Sequence, residues 1–154
     1  MPEEFNTTIC KTVLSMAPYL DKCCEEFLQK NLFTLESVPW EENGYYYQNE
    51  DKPGKHPYHE AGVYYIQEPS AMAVAALSGV RPGMRVLDLC AAPGGKSTQL
   101  KNKLGENGIL VSNEIVPSRC KILTGNIERL GLRNCVTTCM DTARLAKTFP
   151  KTFD

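Results

Sequence analysis

Three acidic residues are spaced so that they could meet at one end of a parallel sheet. Asp88 lies late in the apolar segment RVLDLC, Glu114 ends GILVSNE, and Asp141 ends CVTTCMD. The intervals of 26 and 27 residues each match the length of one strand and one helix. Because the carboxyl ends of parallel strands line the ligand crevice of an open sheet, we expect the three carboxylates to converge there. The alternative is that these acids only face solvent.

The segment CAAPGGK, residues 90–96, follows the first of these strands and consists mostly of small residues. Together with the next residue it ends in GKS, like a phosphate-binding Walker A loop, but Cys90 stands where that motif needs glycine. The G-x-G-x-x-G dinucleotide motif is also absent from the segment. A P-loop nucleotide hydrolase is therefore only a remote alternative.

Three carboxylates would repel a triphosphate but would attract a cationic nucleoside. S-adenosylmethionine is such a ligand, since it has a cationic sulfonium and ammonium, two ribose hydroxyls and an adenine amino group. Glu114 is placed to accept from both ribose hydroxyls and Asp141 from the adenine amino group, while Asp88 would offset positive charge near the methionyl end. The small-residue loop lets the backbone approach the ligand, and the helix after it could bind the methionyl carboxylate at its N-terminus.

Two segments resemble the Sun-type family of RNA cytosine-5 methyltransferases, in particular its RsmF-like ribosomal RNA members. They are GVYYIQEPSAM and VLDLCAAPGGKSTQL, followed by NE and MD at similar spacing, and the resemblance covers roughly residues 35–154. It implies S-adenosylmethionine as cofactor and RNA, most simply ribosomal RNA, as partner. The implied cofactor contacts are Cys90, Ala91, Ala92, Pro93, Gly94, Gly95, Lys96, Glu114, Arg119 and Asp141.

The resemblance also implies that catalysis uses two cysteines. One attacks carbon 6 of cytosine and the other helps to release the product, and both lie in Pro-Cys and Thr-Cys motifs beyond the fourth strand. The resemblance places the start of that strand at TFD, residues 152–154. Thr138-Cys139 spells the second motif, but it lies in the third strand, so we predict that Cys139 is a core residue. Cys90 belongs to the cofactor loop.

We therefore expect residues 1–154 to be a fragment without a catalytic residue and with little or no methyl transfer activity alone. A non-catalytic module that binds the cofactor or RNA is the alternative. The family's usual basic N-terminal segment is not found in residues 1–35, which puts RNA docking by this part in doubt.

Composition favours a cytoplasmic protein without metal. Seven cysteines, an odd number with no secretion signal, indicate reduced thiols, and their spacing does not match a zinc site. No apolar run reaches the roughly 18 residues needed to cross a bilayer, so no membrane is expected.

Charge divides the chain into two unlike halves. Residues 1–70 contain five basic and twelve acidic side chains, whereas residues 71–154 contain twelve basic and six acidic ones. The basic half could bind nucleic acid, although an ordinary solvated surface has similar charges.

The pattern of elements predicts an α/β fold with an incomplete Rossmann-like parallel sheet, of the class I S-adenosylmethionine methyltransferase type. A small α+β region, residues 1–68, would precede the first half of this domain, residues 69–154. In the α+β region, EEFNTTICKTVLSM and LDKCCEEFLQKNL have helical spacing, and TLESVPW, GYYYQ and GVYYIQE favour strands.

Two expectations concern particular elements. Ser70 is predicted to cap a buried helix, AMAVAALSG. The parallel strands of such a sheet, numbered along the chain, lie in the order 3-2-1-4-5, and RVLDLC is strand 1. A chain that stops before strand 4 therefore leaves this apolar strand at an edge of the sheet. The polypeptide is then expected to self-associate unless its N-terminal strands cover that edge.

Overall fold

The computed structural model describes the backbone of residues 8–11 and 30–154, and side chains from residue 30 onward except that of residue 49. The strands in this part of the chain are β1 (Thr8–Lys11), β2 (Glu36–Ser37), β3 (Gly44–Tyr46), β4 (Tyr64–Gln67), β5 (Arg85–Asp88), β6 (Ile109–Asn113) and β7 (Cys135–Thr138). The α-helices are α1 (Pro57–Glu60), α2 (Pro69–Ala76), α3 (Gly95–Leu104), α4 (Pro117–Arg129) and α5 (Thr142–Thr148).

The N-terminal strands form an antiparallel sheet of order β2-β3-β1-β4. The helix predicted across EEFNTTICKTVLSM is wrong for Thr8–Lys11, which pairs with β3 on one side and β4 on the other. Pairing between two aromatic-rich strands outweighs the helical spacing of this short segment, since strand preference depends on packing partners. The second predicted helix, LDKCCEEFLQKNL, lies almost entirely outside the described residues.

The C-terminal strands form a parallel sheet of order β5-β6-β7, with α3 and α4 as the crossovers. Val86 pairs with Leu110, and Val111 with Val136, so the carboxyl ends of the three strands lie together at one edge. The predicted α/β fold class and the order of the first three strands are confirmed. The division into regions 1–68 and 69–154 stays a prediction.

Two clusters of buried residues hold helices against the parallel sheet. The cluster on the α3 side contains Ala75, Leu100, Leu104 and Leu110. The cluster on the α4 side contains Tyr65, Ala91, Ala92, Leu123, Ile127, Leu130 and Leu132. Because Tyr65 belongs to β4, the second cluster packs the antiparallel sheet against the loop that follows β5.

Helix α2 differs from its prediction at both ends and on its surface. It begins earlier than expected, and Glu68 rather than Ser70 is the cap, with its carboxylate accepting from the Ala71 amide at 3.1 Å. Its apolar surface is only partly covered, because Met72 is buried while Val74 is 58% exposed. Proline at the first helical position explains the earlier start, since its fixed φ suits that position.

Strand β5 is an edge in the sheet of the described residues, as predicted, and the antiparallel strands do not cover it. At its start, the Asp154 amide donates to the Arg85 carbonyl at 3.0 Å, and the Asp154 carboxylate accepts from the Arg85 amide at 2.8 Å. Val86 and Leu87 are half-buried. The described part of the chain contains no helix long and apolar enough to cross a membrane.

Candidate functional site

The loop between β5 and α3 is held from both neighbouring elements. The Ala91 amide donates to the Asn113 carbonyl of β6 at 2.8 Å. From α4, Arg119 donates to the Ala92 carbonyl and Asn126 to the Pro93 carbonyl, each at 2.9 Å. The Ala92–Pro93 peptide is cis. These three hydrogen bonds restrict the conformation of the loop backbone.

Gly94 is required by the geometry of this loop. Its φ is +120°, in a region that residues with a side chain rarely adopt, and an added Cβ would lie 3.3 Å from the Leu123 side chain. It precedes α3 without providing a side-chain cap. The helix therefore begins with uncapped amide groups next to the loop, an arrangement that favours an anionic group.

Asn113 joins the ends of all three parallel strands, a role that the sequence patterns did not reveal. Its buried amide donates to the carbonyls of Leu89 and Met140 at 3.2 and 3.0 Å. Its oxygen accepts from the Thr138 hydroxyl at 2.8 Å and the Met140 amide at 3.1 Å. The only signal was an asparagine at the end of an apolar strand, next to Glu114.

Asp88, at the end of β5, lies in a chain of buried hydroxyl groups. The Ser97 hydroxyl donates to Asp88 at 2.7 Å and accepts from the Ser112 hydroxyl at 3.0 Å. Burial raises the pKa of Asp88, and the hydrogen bond from Ser97 and the charge of Lys96 partly oppose the rise. Ser97 is fully buried and committed to a carboxylate, so it is not available to bind Mg²⁺ as in a P-loop.

Glu114 follows β6 directly and is only 4% exposed. One carboxylate oxygen accepts from the Val116 amide at 3.0 Å, and the other lies 3.5 Å from the guanidinium of Arg119. Arg119 also holds the Ala92 carbonyl, so it links this acid to the loop. The structure thus brings Glu114, Arg119 and the loop together, as the resemblance implies. Their role as cofactor contacts stays a prediction.

Asp141 lies three residues beyond the end of β7 rather than at the strand's end. Its carboxylate caps α5 by accepting from the Arg144 amide at 2.8 Å, and the residue is exposed. The prediction that Cys139 is a core residue is wrong, because this residue is exposed in the segment after β7, with its thiol donating to the Ile115 carbonyl at 3.7 Å. Strand β7 ends at Thr138, one residue too early to bury it.

Gln67 is the second residue that the sequence patterns missed. It ends β4, is 6% exposed, and lines a cleft of about 200 Å³ beside the loop. An added Cβ on Gly95 would lie 3.2 Å from the Gln67 amide carbon and 2.9 Å from the Tyr65 ring. Only glycine at the first position of α3 therefore allows β4 to approach this closely.

Two tyrosines of β4, Tyr64 and Tyr65, are buried. Tyr64 donates to the Pro53 carbonyl at 2.7 Å, and burial raises its pKa to about 12. Tyr65 packs against Ala91 and Ala92 in the core. Both residues therefore serve packing rather than a site on the surface. Among the described residues, no group of three or more His, Cys, Asp and Glu side chains could hold a metal ion.

The fold and the site together define the class. A parallel sheet with acids at or after the ends of consecutive strands, and a small-residue loop before a helix, is the arrangement of class I methyltransferases. The solved structure of a methyltransferase homologue from Pyrococcus horikoshii superposes with a TM-score of 0.78 at 22% identity, covering 95% of this chain and 47% of that one. At this identity the likeness shows the shared fold.

Sequence comparison gives the family. Residues 16–69 match the N-terminal domain of 16S rRNA methyltransferase RsmF, and residues 75–154 match the 16S rRNA methyltransferase RsmB/F family. The chain belongs to this RsmB/F family, which confirms the resemblance stated above.

Two relatives show how much of the family's length the chain represents. The ribosomal RNA small subunit methyltransferase F of Vibrio atlanticus (strain LGP32) is 34% identical over 181 residues, covering 100% of this chain and 38% of that protein. The protein of the same name from Escherichia fergusonii is 39% identical over 129 residues, covering 79% of this chain and 27% of that protein. The chain spans well under half the length of both relatives.

Proposed function

We propose that this chain forms the S-adenosylmethionine-binding part of a ribosomal RNA cytosine-5 methyltransferase that acts in the cytoplasm. The observation that supports this most directly is the buried carboxylate of Glu114, placed between a preformed loop and α4. Membership in a family of 16S rRNA methyltransferases supports the reaction class. The basic charge of residues 71–154 suits an RNA partner.

Each acid has a separate proposed role toward the cofactor. Glu114 accepts hydrogen bonds from the ribose hydroxyls, and its contacts with Val116 and Arg119 fix the carboxylate for this purpose. Asp88 offsets the positive charge near the sulfonium, and Asp141 accepts from the adenine amino group with the oxygen not used in capping α5. These assignments use one residue at or just after the end of each parallel strand.

The loop of residues 90–96 holds the methionyl portion in this proposal. Its backbone is fixed by Asn113, Arg119 and Asn126, so little conformational entropy is lost when a ligand binds. The bound cofactor supplies an electrophilic methyl group. The residues described here orient that group, and we assign no nucleophilic thiol among them.

The test is calorimetric titration with S-adenosylmethionine. Replacing Glu114 by alanine should weaken binding by about 1.5–3 kcal/mol, the range for hydrogen bonds to a charged group. Glu128→Ala, an exposed change on the same helix as Arg119, is the matched control and should bind like the wild type. Unchanged affinity in a correctly folded Glu114→Ala chain would remove this residue from the site.

A further inference from the structure

Two cysteine thiols lie in one cleft beside α4. Cys120 is near the start of this helix, and Cys139 follows β7, 19 residues later in the chain. Both line a cleft of about 390 Å³, together with Thr124 and Gly125. Neither thiol has a role in the proposed cofactor site or its reaction.

Each thiol is hydrogen-bonded to the backbone next to the other one. The Cys120 thiol donates to the carbonyl of Thr138, the residue before Cys139, at 3.6 Å. The Cys139 thiol donates to the carbonyl of Ile115, in the segment that leads into α4, at 3.7 Å. These reciprocal hydrogen bonds hold the start of α4 against the segment after β7, so that the two sulfur atoms are neighbours.

The two thiols differ in their access to solvent. Burial raises the pKa of the Cys120 thiol, and the neighbouring Cys139 thiol raises it further, because two thiolates would repel each other. Cys139 is exposed, whereas Cys120 is only partly so. A reagent that arrives from solvent therefore meets Cys139 first, and Cys120 is placed to react second.

A metal ion fits this pair less well than thiol–disulfide chemistry does. Structural and catalytic zinc sites use at least three protein ligands. Within the part of the chain that the structure describes, no third His, Cys, Asp or Glu side chain joins the two thiols in a group that could hold a metal ion. Disulfide exchange, in contrast, needs only two neighbouring thiols, one of which is accessible.

We infer that Cys120 and Cys139 form a reversible intrachain disulfide by exchange with a low-molecular-weight disulfide. The Cys139 thiolate attacks one sulfur of that reagent and displaces a thiolate, which leaves a mixed disulfide at Cys139. Cys120, once it has lost its proton, attacks the Cys139 sulfur and displaces the second thiolate. The two cysteines together lose two electrons, and the reagent is reduced to two thiols, which take up the two protons.

Incubation of the chain with oxidised glutathione, followed by mass mapping of a tryptic digest, tests this inference. The wild type should contain a disulfide between Cys120 and Cys139 and carry little glutathione at Cys139, and dithiothreitol should restore both thiols. Trypsin leaves Cys139 in the same peptide as Cys135. Fragmentation of that peptide therefore has to identify which of the two cysteines is bonded.

Two serine variants sharpen the test. Cys120→Ser removes the second thiol and keeps a hydroxyl that can donate to the Thr138 carbonyl, so this chain should retain glutathione at Cys139 where the wild type releases it. Cys135→Ser is the matched control. The Cys135 thiol lies 3.8 Å from the Ser112 hydroxyl and does not line the cleft, so this chain should form the same disulfide as the wild type.

The wild type alone can overturn the inference, so the test does not depend on the folding of Cys120→Ser. A wild type that keeps glutathione at Cys139 beside a free Cys120 thiol would contradict it. A disulfide from Cys139 to any other cysteine, Cys90 included, or no reaction at Cys139, would do so as well. None of these results involves S-adenosylmethionine, so they are independent of the proposed function.

Discussion

Asp88 and Glu114 are both carboxylates at strand ends, yet their surroundings differ. Glu114 has an amide donor and a guanidinium beside it. Asp88 accepts from the Ser97 hydroxyl, and desolvation is the main cause of its raised pKa. The two acids are therefore suited to different tasks, one to hydrogen bonding and one to balancing a cationic ligand.

The raised pKa of Asp88 predicts how stability depends on pH. A carboxyl group with a higher pKa in the folded state stabilises the fold most when it is protonated. That stabilising contribution is present at pH values below the ordinary pKa of 3.8, and it is lost as the pH rises through the raised pKa of the folded state. Asp88→Asn, which can still accept from Ser97, should lack this loss.

Denaturant unfolding at several pH values measures the effect. The free energy of unfolding of Asp88→Asn should exceed that of the wild type by an increasing margin from about pH 3 toward neutrality, and then by a constant margin. A margin that stays flat or shrinks as the pH rises would show that burial does not raise the pKa of this group.

At the residue scale, the sequence predicted the features of a residue that depend only on its position along its own strand. The placement of Asp88 and Glu114 followed from strand length and spacing. Asn113 and Gln67 were missed because their importance comes from other elements: the first bridges three strand ends, and the second meets a helix 28 residues later in the chain. A periodic pattern contains no information about such contacts.

At the scale of elements, β4 and α4 connect the two sheets. Gly62, just before β4, has a φ of +73°, and an added Cβ would lie 2.1 Å from the Arg129 carbonyl at the end of α4. The Arg129 side chain in turn donates to the His59 carbonyl. This junction sets how close β4, and therefore Gln67, comes to the loop.

Alanine substitutions at two glycines test the importance of the junction. Gly62→Ala combines a positive φ with a backbone clash and should lower the free energy of unfolding by at least about 2 kcal/mol. Gly125→Ala, on α4 with open space around the added methyl group, should raise it by about 0.5–1 kcal/mol. Urea denaturation gives both values, and a Gly62→Ala chain as stable as wild type would contradict the described junction.

The elements also show where sequence patterns succeed. The three parallel strands were predicted to within a few residues because continuous apolar runs define them locally. The strand at Thr8–Lys11 was mistaken for a helix because it exists only through pairing with β3 and β4, which are more than 30 residues away in sequence.

At the scale of the whole molecule, the open side of β5 predicts self-association of the polypeptide of residues 1–154. On the side of β5 away from β6, the backbone after Arg85 pairs with no other strand within the described residues. Val86 and Leu87 of this strand are apolar and only half-buried. Light scattering after size-exclusion chromatography should show an apparent mass that rises with concentration. A constant monomeric mass together with slow hydrogen exchange at residues 85–88 would contradict this prediction.

Above all, we propose that the ends of the parallel strands and the loop after β5 bind the cofactor. Hydrogen exchange with and without saturating S-adenosylhomocysteine tests it most directly, because it reports on each segment of the backbone in one experiment. We expect slower exchange in residues 90–97 and 113–116, and little change in β2 and β3. No binding, or protection confined to segments away from the loop, would contradict it.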